Sequence, residues 1–140
     1  LLNKDDFWQF AFTLYAKPGQ QNTLLALQNQ QGKNVNLCLL LLYLDSLKLS
    51  INADQLSALI ASINEFDTQA LKPLRATRKY LKANQESISN YAKIRQELLS
   101  AELKLEKQQQ QILIDTANKF TFILTAKPEN FNLYKKIKLL

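Results

Sequence analysis

The segment VNLCLLLLYLDSLKL, residues 35–49, decides the fold. A helix on a protein surface shows an apolar stripe and a polar one, whereas this segment is apolar nearly all round, the pattern of a helix enclosed by others. Asn34 stands where its cap is expected, with a side-chain oxygen able to accept from the first free N–H groups. The uninterrupted apolar run, Leu37 to Leu44, is far short of the ~20 residues that a bilayer span requires. It reads as the central helix of a bundle, expected to run from Val35 to about Leu49, with Cys38 inside it as a small hydrophobe of raised thiol pKa.

Upstream, Asn3, Asp5 and Asp6 precede Phe7, Phe10, Ala11 and Leu14 at helical spacing. Carboxylates in a first turn suit the helix dipole, so Asp5 and Asp6 read as end-of-helix residues rather than as a catalytic pair, which adjacent positions cannot form. Trp8, Phe12 and Tyr15 occupy the adjoining face. These aromatics read mainly as core, with room for a partner contact. Lys17-Pro18-Gly19 breaks the pattern, and Pro18 can open a second helix carrying Leu24, Leu25, Leu27 and Gln28 as far as Gly32.

Downstream, Asn52 with Gln55 three positions on forms a capping box for a helix whose face is Leu56, Leu59, Ile60, Ile63 and Phe66. That helix is expected to end near Asp67-Thr68. Pro73 then fits the first turn of a fifth helix reaching Lys82 or Ala83. From Glu86 to about residue 114 a long helix is expected, with Tyr91, Ile94, Leu98, Ala101, Leu105 and Ile112 repeating along one side. Its further apolar residues Leu99, Leu103 and Leu113 leave a second stripe, so a homodimer through Tyr91, Ile94, Leu98, Leu105 and Ile112 is one expectation. The tail, residues 115–140, is the least regular part. FTFIL at 120–124 has strand composition but no evident partner, and is read as helical before Pro128; Phe131, Leu133, Tyr134 and Ile137 with Lys135, Lys136 and Lys138 make an amphipathic stretch.

Composition narrows the chemistry. The 140 residues contain one Cys and no His, and only two Gly. A disulfide framework, a Cys/His metal centre and a Cys–His nucleophile pair are thereby absent, and no Gly-rich phosphate loop can be built. At 46% hydrophobic the chain belongs among globular proteins. The expectation is an all-α single domain over 1–140, a compact multi-helix bundle at 1–83 with a long C-terminal helix, no enzyme, no metal and no cofactor. No basic n-region followed by an apolar core and a cleavage site opens the chain, so a cytoplasmic location is expected.

Charge is segregated. Residues 1–70 carry four Lys against six Asp/Glu, a net of −2, and residues 71–140 carry fourteen Lys/Arg against six Asp/Glu, a net of +8. In the fifth helix Arg75, Arg78, Lys79 and Lys82 recur at i, i+3, i+4 and i+7, one face, with Leu71, Leu74 and Leu81 read as the opposing stripe. Such a face either docks an acidic partner protein or nucleic-acid phosphates, or is a solvated surface partly paired with Asp67, Glu86 or Glu97. The binding expectation is therefore a non-enzymatic protein that docks an acidic partner through these four cations, the alternative being nucleic-acid or ribonucleoprotein binding by the same face and the C-terminal lysines. Trp8, Tyr15, Gln28 and Asn36 are a possible second contact, although Gln28 and Asn36 first read as satisfying backbone groups around the Gly32 turn. An enzyme would need a pocket gathering groups such as Gln28, Asn36 and Asp45.

In order along the chain, Phe7-Trp8, Leu14-Tyr15, Pro18-Gly19, Leu27-Gln28, Gly32, Val35-Asn36, Pro73-Leu74-Arg75 with Arg78 and Lys79, and Ala101-Glu102-Leu103 resemble the pattern of a proteobacterial family of conserved helical proteins of unknown function. The likeness spans residues 7–107. Asn34 stands where that pattern usually has Asp, and Tyr43 lies near where it has Trp. The resemblance implies a helical fold and supplies no catalytic residue.

Overall fold

The computed structural model describes residues 1–138, with seven helices, all but the fifth contributing to a leucine-rich core. Leu139 and Leu140, the end of the 115–140 tail, lie outside the described residues. The apolar segment forms α3, Val35–Ser46, capped by the Asn34 side chain, which accepts from the N–H of Leu37. Leu37, Cys38, Leu40, Leu41 and Leu44 are wholly buried. Around them pack Phe7 and Ala11 of α1 (Lys4–Tyr15), Leu24 of α2 (Gln20–Gln31), and Leu56, Leu59 and Ile63 of α4 (Ala53–Phe66). Leu113, Ile114 and Ala117 from the end of α6 (Tyr91–Ala117) and Tyr134 from α7 (Asn130–Lys136) complete the enclosure.

Local chemistry explains most boundaries. Asn3 accepts from the N–H groups of Asp5 and Asp6 to open α1, and the Asn52/Gln55 capping box opens α4 in both directions. Gly19 and Gly32 flank α2 in the left-handed conformation, φ 83° and 66°, which glycine adopts without a Cβ penalty. Pro18 therefore belongs to the turn, and α2 starts after Gly19 rather than at Pro18.

Four expected boundaries move. The central helix stops at Ser46, not near Leu49, because Lys48 turns left-handed (φ 62°) and sends Leu49–Ser50 out as strand β1. The FTFIL segment is not helical: Ile123–Leu124 forms β2, antiparallel to β1 with Leu49 opposite Leu124 and Ser50 opposite Ile123. Its partner was concealed in what reads as the last turn of a helix. Near Asp67-Thr68 the chain does not leave the helix; it widens into a π-helical turn, Asp67–Leu71, and continues into α5, Lys72–Ala83. A proline ring clashes with the carbonyl four residues back, and the wider turn immediately before Pro73 relieves that clash without ending the helix. Finally, the long helix begins at Tyr91 rather than Glu86, since Gln85–Ser87 is a 3-10 turn and Asn90 is left-handed (φ 60°), and it ends at Ala117 rather than 114.

The consequence is a long antiparallel hairpin with two parts. Its base, α4 with the second half of α6, is built into the core. Its outer part, α5 with the first half of α6, forms an arm: α5 has no buried residue and packs on α6 and the π-helical turn, and in α6 burial starts only at Gln109. The compact body therefore ends before α5, not at residue 83. Among the described residues no helix is long and apolar enough to cross a membrane.

Candidate functional site: the cationic arm and its root

Arg75 and Arg78 do not stand on a free face opposite the leucines. They turn with Leu71, Leu74 and Leu81 toward α6, where Arg75 Nη2 lies 2.6 Å from Glu106 Oε1, Arg75 Nη1 3.9 Å from Asp67 Oδ1, and Arg78 Nε 3.2 Å from Glu102 Oε1. Both arginines cross-link the arm. Two acceptors, Glu102 and Glu106, are not the acids the sequence suggested; Asp67 is. Lys79 and Lys82, by contrast, are exposed.

At the root of the arm the π-helical turn brings Asp67 into a polar network with α3 and α6. Asn34 Nδ2 and Gln109 Nε2 each donate to Asp67 Oδ1 at 3.3 Å. Asn36, 4% exposed, donates to Glu106 and to Gln109 Oε1 and accepts from Gln110 Nε2. Asn36 thus satisfies side chains of α6 rather than backbone around Gly32, and Gln28, half-buried on α2, makes no hydrogen bond to this network among the described residues. Gln110 Oε1 is buried without a partner. Tyr15 sits beside the network, its phenol pKa raised by burial and by Glu106, with Arg75 opposing.

Asp45 is committed elsewhere. Its carboxylate accepts from the N–H groups of Asn130 and Phe131 at the start of α7; burial raises its pKa while these bonds oppose the rise. At the other end of α7 the buried ammonium of Lys33 donates to the carbonyls of Tyr134 and Ile137. Opposite charges at the two ends complement the helix dipole. Asn36 and Asp45 therefore serve different elements and form no common pocket. Cys38 is fully buried and its thiol is pushed up to about 12 by that burial; among the described residues no three His, Cys, Asp or Glu side chains gather as metal ligands.

The aromatic helix divides its rings. Phe7 stacks on Tyr43 at 5.5 Å between centroids, and Phe10 meets the same ring at 5.1 Å. Trp8 is half-buried under the Lys107 ammonium, 4.6 Å from its ring centroid, and Phe12 is 67% exposed. The dimer stripe is also divided: Tyr91, Ile94, Leu98 and Leu105 are half-buried, Ile112 packs against the core, and Leu103 is 51% exposed.

A family model described as "Protein of unknown function (DUF2390)" matches residues 6–113. The chain belongs to this family. No curated protein and no solved structure matches it. The DUF2390 region contains the arm, the Asp67–Arg75–Glu106 cluster and the Trp8 surface, and it stops within α6, so β2 and α7 lie beyond the matched residues. Sequence reasoning missed Lys33, Glu106, Gln109 and Gln110. A lysine beside a glycine turn and a run of glutamines both read as solvated; only the neighbouring apolar positions Leu105, Ile112 and Leu113 signal that this part of α6 enters the core.

Proposed function

We propose that this chain is a non-enzymatic, cytoplasmic binding protein that docks an acidic partner protein through its helical arm. One observation supports this reading above others: with Arg75 and Arg78 neutralised internally and Lys72 paired with Asp67, the arm still exposes Lys79, Lys82, Lys93, Arg95 and Lys104 against only Glu86 and Glu97. A uniform excess of one sign on an extended surface attracts the opposite charge and accelerates encounter. The internal ion pairs stiffen the platform on which these cations stand. Of the four cations read from sequence, Lys79 and Lys82 are the contact residues and Arg75 and Arg78 their supports.

The test is fluorescence anisotropy with a labelled glutamate-rich peptide and a labelled single-stranded oligonucleotide, across a salt series. The proposal expects the peptide to bind and Lys79→Glu with Lys82→Glu to weaken it. Tighter oligonucleotide binding, with log affinity falling by about 0.7 per phosphate contact for each log unit of salt, would instead favour nucleic acid on the same face and on Lys135, Lys136 and Lys138.

A further inference from the structure

Where α1 meets α6 there is a cleft of about 240 Å³ whose walls include Lys4, Asp5 and Trp8 on one side and Lys104, Lys107 and Gln110 on the other. Three ammonium groups face one carboxylate, and among the described residues none of Lys4, Lys104 and Lys107 is in an ion pair. Lys107 has only the indole beneath it. Gln110 keeps one buried acceptor, Oε1, unpaired.

Each wall continues into an uncovered apolar side chain. Phe12 follows Trp8 by one turn of α1 and is 67% exposed; Leu103 precedes Lys107 by one turn of α6 and is 51% exposed. The two helices run antiparallel, since Leu2 is hydrogen-bonded to Asn118 while Trp8 meets Lys107, so both extensions lead the same way. Apolar anchors with a cationic rim match a segment that is apolar on one side and acidic on the other. A phosphate backbone would leave Phe12 and Leu103 uncovered.

We infer that this cleft seats an acidic amphipathic segment of the partner protein, its carboxylates on Lys104 and Lys107 and its apolar side chains over Trp8, Phe12 and Leu103. The inference rests on the acidic-partner reading and moves its anchor from α5 to the α1–α6 face. Burial of the apolar side chains supplies the affinity, and the lysines select the sign of the partner's charge.

Trp8 is the single tryptophan of the chain, so its emission reports on the cleft itself. The experiment titrates the full chain with a labelled synthetic peptide lacking tryptophan, with Leu at i, i+3, i+4 and i+7 and Glu elsewhere, reading both peptide anisotropy and Trp8 emission. The expected result is a saturable blue shift of Trp8 with a matching anisotropy rise, affinity lowered at least tenfold by Lys104→Glu with Lys107→Glu, and a comparable loss from Phe12→Gln with Leu103→Gln. These positions are exposed, and circular dichroism verifies folding. Binding seen by anisotropy alone, sensitive to Lys79→Glu and Lys82→Glu but not to the cleft variants, overturns the cleft and leaves the acidic-partner reading standing. No binding of the peptide overturns both. A larger Trp8 response to an oligonucleotide than to the peptide overturns the cleft assignment in favour of nucleic acid.

Discussion

Replacing Arg75 by Met should destabilise the protein far more than removing an ordinary surface cation. Arg75 is 17% exposed and lies between Glu106 and Asp67, whose side chains are 24% and 14% exposed. Methionine keeps most of the volume but leaves Glu106 without its cation, and Asp67 with only the more exposed Lys72 at 3.8 Å, in a poorly hydrated junction. Breaking a fully buried pair by removing one partner costs ~3–5 kcal/mol, and an exposed pair contributes ~0–1; the residual exposure places Arg75→Met at about 2–3 kcal/mol. For a domain of this size that lowers Tm by about 6–12 °C. Urea unfolding followed by circular dichroism measures the loss. Adding Glu106→Gln to Arg75→Met should recover part of it, since the orphaned charge is then removed, giving a coupling of about 1–2 kcal/mol in the double-mutant cycle. A single-variant loss below ~0.5 kcal/mol, the size expected of an uninvolved surface site, or strict additivity in the cycle, would refute the claim that Arg75 is a structural cation.

Lys79→Glu with Lys82→Glu, at exposed positions, should leave the urea midpoint within ~0.5 kcal/mol of the parent, which separates these exposed cations from the structural ones. Asn130→Ala removes the bonds from Asn130 Nδ2 to Leu49 O and from Ile51 N–H to Asn130 Oδ1 and should cost about 2–4 kcal/mol; an unchanged midpoint would deny the side chain its role in joining β1 to α7. Stability should fall as pH rises from about 9 to about 12: Cys38 and Tyr134 are raised to about 12 by burial, so the folded chain holds protons that the unfolded chain releases. Lys33, whose pKa is lowered by burial, acts oppositely in its own window below the ordinary lysine value, and Cys38→Ala with Tyr134→Phe should flatten the alkaline fall. Sedimentation equilibrium tests self-association through the α6 stripe: a dimer dispersed by Leu103→Gln would assign the exposed leucine to a homodimer, and a monomer at high concentration would exclude it.

The all-α architecture, the central position of α3 and the caps at Asn34 and Asn52 were legible because they rest on local signals: apolar content around a full turn, and a side-chain acceptor one residue before a helix; the cap of α1 falls to Asn3, with Asp5 and Asp6 in the first turn. The π-helical turn was not legible, since a proline after a helical pattern looks the same whether the helix stops or swells. Strands β1 and β2 are two residues each and far apart in sequence, so no periodicity could develop in either. The basic face was half legible. Spacing puts Arg75, Arg78, Lys79 and Lys82 at i, i+3, i+4 and i+7 but could not say which of them meets α6, because that depends on Glu102 and Glu106 arriving from the other arm of the hairpin. Trp8 was singled out for its helix, while the lysines that face it come from a helix read only for its apolar stripe.

The clamping of α7 by Asp45 and Lys33 has a consequence for synthesis. The bonds that seat α7 span large separations: Asn34 N–H donates to Tyr134 Oη and Lys33 to the carbonyl of Tyr134 across about a hundred residues. A nascent chain emerging from the ribosome as far as α6 has one flank of α3 uncovered and a lysine without its acceptors. Closure of the leucine core is therefore a late, long-range event, and until residues 130–137 arrive the growing polypeptide presents the kind of apolar surface that holding chaperones recognise.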